Sequence, residues 1–323
     1  MTTDTAADTL DPAATGGVPA DSSTDRRPAM QRARRRAALH GWLFIGPLVL
    51  GILAFQAAPV FVSLFTSFTN WDGVTTPKIL GLANYRRMFA ADPQFWVTLR
   101  NTAVFVVGVI PLTVVVALLL AVLCNGRGRI WNGIFRTAYF TPYVTSIVAI
   151  GLVWTQFFTP SGVLNQGLKI FGISGPSWLT DVHWAMPAVI LVSAWQAIGY
   201  PMVILIAGLQ AIPESLLEAA RVDGANAAQR FFRVTLPLLT PQLFFVLITQ
   251  IISSFQVFAL IFVMTKGGPG TATNVYIYQL YQNAFTFGDL GYASAMAWFL
   301  FLIIGLITFV QWRLQRRWVF YND

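Results

Sequence analysis

Six stretches of this chain, residues 41–67, 102–124, 140–158, 185–209, 241–264 and 291–312, are almost entirely apolar, and none of them contains an Asp or Glu. Each is about the 20 residues that an α-helix needs to cross a bilayer core. Lipid offers no partner for a backbone N–H or C=O, so a crossing segment must satisfy its own, and a helix does so. The composition agrees: 56% of the residues are hydrophobic and only 11% charged, against roughly 25% charged in a soluble domain. The expected fold class is an all-α polytopic membrane protein with six transmembrane helices.

The net charge of +8 suggests nucleic acid in a soluble protein, but its placement points elsewhere. With residue 1 inside the cell, the inner segments hold fifteen of the 21 basic residues, in clusters at 26–36, 127–136, 221–233 and 313–317. The outer segments hold Lys78, Arg86, Arg87, Arg100, Lys169 and Lys266. Basic residues gather on the cytoplasmic side, so both termini are expected there, in a multi-pass plasma (inner) membrane protein without a nucleic-acid partner.

Residues 1–39 lack apolar periodicity and read as a disordered cytoplasmic tail. Residues 40–320 are the membrane domain. The first apolar run starts too late and is too long for a cleaved signal peptide. Cys124 is the single cysteine, so an internal disulfide is excluded and a small apolar packing role is expected. Outside the membrane, residues 69–101 suit a short interfacial helix. Residues 159–183 have turn composition, and "GGPG" at 267–270 reads as a turn leaving the fifth span. No Gly-Lys-Ser/Thr phosphate loop and no H-E-x-x-H zinc pattern occurs. Prolines at 47, 59, 111, 142, 187 and 201 are candidate kinks.

Between the uncharged fourth and fifth runs lies a compact charged segment, "PESLLEAARVDGANAAQRFFRVTLP", residues 213–237. Pro213 suits the first position of a helix, with Glu214 favourable beside its N-terminus. Leu216, Leu217 and Ala220 make an apolar face opposite Glu218 and Arg221. Gly224 supplies the stop, and residues 227–234 form a second short helix. The residues leave two readings open: an interfacial helix floating on headgroups, or a handle for a partner protein. The mixed signs of Glu214, Glu218, Arg221 and Asp223 match a protein groove better than anionic lipid.

Glu218-Ala219-Ala220, three residues, Gly224, nine residues, Val234, one residue, Leu236-Pro237 resembles the EAA signature of binding-protein-dependent ABC importer permeases. Val234 stands where the family commonly has Ile. The resemblance covers residues 40–320 and implies an ABC importer type I permease (MetI-like) fold. It also implies that segment 210–240 is the coupling loop seating on a cytoplasmic ABC ATPase dimer, with Glu218, Ala219, Ala220, Asp223, Gly224, Leu236 and Pro237 as its coupling residues. "GLANY", "PESLLEAARVDGA", "GGPG" and "YASAMA" are similar to the carbohydrate branch, the first permease of a maltose- or glycerol-3-phosphate-type pair. The implied partners are a second homologous permease, an extracytoplasmic sugar-binding protein and membrane lipid. ATP is used by the partner subunit, and the chain needs no cofactor and is no enzyme.

A self-contained secondary carrier or channel is the alternative. It is disfavoured because ion-coupled carriers place ionisable groups within the membrane. The middle spans instead carry neutral polar pairs, Gln196 with Tyr200 and Gln250 with Ser254, each four apart on one helix face. Such groups suit an uncharged polyhydroxylated solute, although residue type alone favours interhelical hydrogen bonding. By the resemblance, positions lining the sugar site in maltose-type permeases fall on Tyr143, Gln196, Ala197, Tyr200, Gln250 and Ser254. Val257 replaces a family asparagine and Gln196 is enlarged, which implies a cargo other than maltose.

Overall fold

The computed structural model describes residues 41–125 and 129–320, so the expectation for residues 1–39 lies outside the described residues. Four helices are long and apolar enough to cross a membrane: Gly41–Thr66, Pro93–Cys124, Thr240–Met264 and Leu290–Arg317. The other two expected spans are bent pairs, Gly133–Val144 with Ile147–Phe157 at 97°, and Ala185–Ala197 with Gly199–Ala211 at 44°. Among the described residues no strand forms; Thr69 and Ile79 make an isolated bridge. The chain divides into two compact units between Val62 and Ser63. In the first, a π-helical turn at Leu53–Ala57 precedes Pro59, which has no N–H to return to the Phe55 carbonyl.

The departures from the expected spans have local causes. The third is no single helix over 140–158. Thr141 and Thr145 turn their hydroxyls back onto the carbonyls of Thr137 and Thr141, at 2.7 and 2.8 Å, and Pro142 donates nothing. Ser146 then leaves the helical region at ψ 120. In the fourth span, Pro201 withholds an N–H from the Ala197 carbonyl, next to the break at Ile198. The second span starts at Pro93, earlier than expected. Arg100, expected in a loop, is exposed within its first turns.

With no hydrophobic gain in moving a side chain from lipid to protein, helices here associate by close van der Waals contact, which small residues permit. Ala117 and Ala121 of the second span are fully buried against Met202, Leu205 and Leu239. Cys124 joins the same cluster, in the packing role expected of it, and its carbonyl accepts from Arg136 at 2.9 Å. At Gly199, an added Cβ would lie 2.8 Å from both Phe140 Cα and the Tyr139 carbonyl, so the two bent spans cross almost backbone to backbone. Phe105 and Val109 pack with Val189, Val192 and Leu260 in the middle of the bundle. Phe95, Tyr276, Tyr292 and Met296 fill the opposite end.

That end carries the loops. Ala83–Ala90 is the expected short helix. Val163–Ile170 and Tyr276–Tyr281 are helices that turn composition concealed. "GGPG" is a turn as expected, with Lys266, Gly267 and Gly270 all at positive φ.

Candidate functional site

Residues 210–240 project from the end of the bundle opposite these loops. Pro213 is the N-cap of the helix Glu214–Val222, one position earlier than expected. The helix has no buried residue, and its apolar face is split. Leu217 and Ala220 are half-buried, whereas Leu216 and Val222 are exposed, Val222 to 87%. The turn that ends it is tight: Gly224 has φ +78, and its N–H reaches the Arg221 carbonyl at 3.0 Å. Asn226 then opens the second helix through a capping box with Gln229, both bonds at 2.9 Å. That helix, Ala227–Arg230, passes through a π-helical stretch Phe231–Thr235 to Leu236–Leu238, longer and less regular than 227–234.

Glu218, Ala219, Asp223 and Gly224 are exposed together around this elbow. A Cβ on Gly224 would meet nothing within 4 Å. Leu236 and Pro237 are half-buried where the loop rejoins the fifth span, away from the turn.

A cavity of about 340 Å³ lies among the second, third, fourth and fifth spans. Gln196, Ala197, Gln250 and Ser254 all line it, with Val257 beside them. Gln250 and Ser254 are at least nine-tenths buried. The fifth helix stops at Phe255 and resumes at Ala259, so the cavity wall at Gln256–Phe258 is unwound backbone. Tyr143 and Tyr200 do not line the cavity. They stack on one another, centroids 5.4 Å apart and planes 18° apart, and Gln196 Nε2 approaches the Tyr143 carbonyl at 3.5 Å.

Ser193, Ser253 and Gln256 also face the cavity and were not picked out from sequence. Ser193 is three residues before Gln196 and shares its helix face, a readable signal. Its hydroxyl is buried without a hydrogen-bond partner among the described residues. No lining residue carries a charge. The volume falls within the range of small-molecule sites, and the lining offers amides, hydroxyls and the Phe105 and Phe258 rings. Such a surface can hydrogen-bond and stack on a neutral polar solute but has nothing to ionise it.

The family described as binding-protein-dependent transport system inner membrane component matches residues 110–320. The chain is 41% identical over 301 residues to a probable ABC transporter permease protein, YesP, of Bacillus subtilis (strain 168), covering 91% of this chain and 97% of that one. It is 34% identical over 288 residues to the lactose transport system permease protein LacF of Rhizobium radiobacter, covering 88% and 96%. A chain in the crystal structure of a bacterial ABC transporter that imports the acidic polysaccharide alginate has the same fold, with a TM-score of 0.76. That match is 23% identical and covers 90% of this chain and 99% of that one.

Proposed function

Because the chain belongs to the family of binding-protein-dependent transport system inner membrane components, we propose that it is the permease subunit that forms half of the passage in an ATP-driven importer of a neutral carbohydrate. One observation carries this reading. The exposed elbow at 214–235 joins two of the spans that line the uncharged cavity, the fourth through Gln196 and the fifth through Gln250. A push on the elbow is therefore delivered to two of the cavity's walls.

The division of labour follows. Segment 210–240 is the coupling loop, with Glu218, Ala219, Ala220, Asp223 and Gly224 meeting the ATPase and Leu236–Pro237 forming the return to the fifth span. A capped helix on each side of a tight turn transmits displacement that a flexible linker would absorb. ATP is consumed by the ATPase dimer, and this chain performs no covalent chemistry. The basic clusters support a cytoplasmic position for both termini and the coupling loop; in that orientation the loops around Gly268 and the helix Ala83–Ala90 face outward, toward a sugar-binding protein. A homologous permease completes the passage. The cargo class rests on the lining and on relatives such as the lactose permease protein; a phosphorylated sugar would find no cation in this cavity.

The test is uptake by proteoliposomes. The chain is co-purified from native membrane with its permease and ATPase partners, and the binding protein is supplied outside. Accumulation of a neutral sugar that requires both enclosed ATP and the binding protein is the expected result. Accumulation by vesicles holding this chain alone overturns it.

A further inference from the structure

The coupling loop leaves and rejoins the bundle through two arms, Ala211–Pro213 and Leu236–Thr240, and the two are pressed together at their base. A Cβ on Gly208 would stand 2.7 Å from Leu239 Cδ1 and from Gln242 Cγ, so the glycine lets these side chains of the returning arm lie this close without shifting. Leu239 is fully buried beside Met202 and Leu205 and pins the arm on its inner side.

A third element reaches the same place. The sixth span, Leu290–Leu314, ends in a 3-10 turn, Gln315–Arg317, and the chain then folds back across the start of the fifth. The N–H of Phe320 donates to Thr240 Oγ1 at 3.0 Å. The same hydroxyl donates to the Pro237 carbonyl at 2.6 Å. Trp318 meets Phe244 edge to face, with centroids 5.9 Å apart. Phe320 also borders a cavity of about 200 Å³, together with Gly208, Pro213, Leu238 and Gln242.

We propose that residues 318–320 are a strap binding the sixth span to the returning arm of the coupling loop, with Thr240 and Trp318 as positioning residues for the stroke. The assignment rests on reading segment 210–240 as that loop. The physical reason is the division of force. Without the strap, displacement at Gly224 enters the fifth span through a joint held by Leu239 and its neighbours Gln242 and Leu243. That joint includes a π-helical stretch and the prolines 237 and 241, which lack N–H groups and leave it yielding. With the strap, spans five and six move as one body, and the fifth carries Gln250 and Ser254 of the cavity wall.

The competing role for Thr240 is local: its hydroxyl satisfies the Pro237 carbonyl and nothing more. Phe320→Pro separates the two, because it deletes the strap's N–H and leaves Thr240 and Pro237 untouched. The experiment uses the assembled complex in proteoliposomes with its binding protein and measures solute accumulated per ATP hydrolysed. Phe320→Pro and Thr240→Val each lower that ratio about fivefold, the worth of one hydrogen bond, while basal hydrolysis and yield of complex stay within twofold. Thr240→Ser keeps the hydroxyl and restores the ratio. Trp318→Ala lowers it in the same direction.

A wild-type ratio in both Phe320→Pro and Thr240→Val overturns the strap. A fall in Thr240→Val alone leaves only the local role and overturns it too. Should Phe320→Pro fail to assemble, Thr240→Val against Thr240→Ser decides, and equal ratios in that pair count against the strap. Uptake by the wild-type complex that ignores ATP would sink the coupling reading itself, a different result from any of these.

Discussion

Tyr292 and Asp92 are 200 residues apart in sequence, and the Tyr292 hydroxyl donates to Asp92 Oδ2 at 2.6 Å. Each sits at the start of a span, and each is tied further. Asp92 Oδ1 caps the second span by accepting the Gln94 N–H at 2.9 Å. Asp289 caps the sixth by accepting the Tyr292 N–H at 3.1 Å. Arg87, from the helix Ala83–Ala90, lies 4.3 Å above the Tyr292 ring and pairs with Asp289 at 2.6 Å. Four side chains thus fasten the helix Ala83–Ala90 to two spans.

Burial ranks these ties. The Tyr292 side chain is fully buried, and Tyr292→Phe removes its hydrogen bond to a carboxylate, at a cost of about 1.5–3 kcal/mol. Asp289→Asn keeps the cap and loses only the charge pair with Arg87. Arg87 is half exposed there, and such pairs contribute roughly 0–1 kcal/mol. Melting of the detergent-purified protein should show the larger drop for Tyr292→Phe. The reverse order would place the stability in the ion pair.

Gly224 separates backbone geometry from surface contact. Its φ of +78 is closed to proline, and Gly224→Pro also removes the N–H given to Arg221. We predict loss of ATP-driven uptake with normal membrane insertion. Asn tolerates the left-handed region better than other non-glycine residues, and the space beside Gly224 is open within this chain. Gly224→Asn should therefore keep the elbow folded, and uptake then reports contact with the ATPase alone. Retained uptake means the turn is what matters; lost uptake with unaltered proteolytic protection of the elbow means the groove requires a bare backbone.

Two loop carboxylates set a pH expectation. The Thr75 and Val74 N–H groups and the Thr75 hydroxyl all point at Asp72 Oδ1 and hold its carboxyl below the ordinary range. The His183 N–H does the same for Asp181. A depressed carboxylate stabilises fully above its unfolded pKa, about 3.9, and loses that contribution as pH falls through the lower folded value. Wild type, Asp72→Asn and Asp181→Asn should thus melt with parallel pH dependence from about pH 5 to 8 and diverge only in acid. Divergence near neutrality would mean that another group titrates with them.

The spans were legible because run length and lack of charge are properties of composition. Their breaks were not. Pro111 sits inside an unbroken helix, whereas Pro142 and Pro201 accompany bends, so proline marks where a helix can open without deciding that it does. The unwinding at Gln256–Phe258 has neither Gly nor Pro to mark it in the sequence. Val163–Ile170 carries Val163, Leu164 and Leu168 at helical spacing, but the Pro, Gly and Ser flanking it hid the pattern. The elbow was legible down to its turn residue, because Gly224 is local chemistry; the Asn226–Gln229 box, equally local, was not picked out. The cavity was half legible. Gln196, Gln250 and Ser254 were found, Ser193 was missed on their shared periodicity, and the Tyr143–Tyr200 stack depends on two bends crossing at Gly199.

Ser193 offers the sharpest test of whether this cavity handles solute. A hydroxyl that glues helices has a partner, and its removal destabilises the protein. The Ser193 hydroxyl is buried and has none among the described residues. Ser193→Ala therefore takes no bond from the protein and should leave melting unchanged or slightly raised. If the hydroxyl serves the cargo, the same substitution lowers uptake at limiting sugar, by about two- to tenfold for one hydrogen bond. Gln250→Ala and Tyr200→Ala should lower uptake with the complex intact, Gln250 through the cavity wall and Tyr200 through the stack that holds Tyr143 beside Gln196. Measured together, uptake and melting move oppositely for Ser193 under the transport role. Unchanged uptake in all three variants would reduce these residues to packing and move the sugar path elsewhere in the assembly.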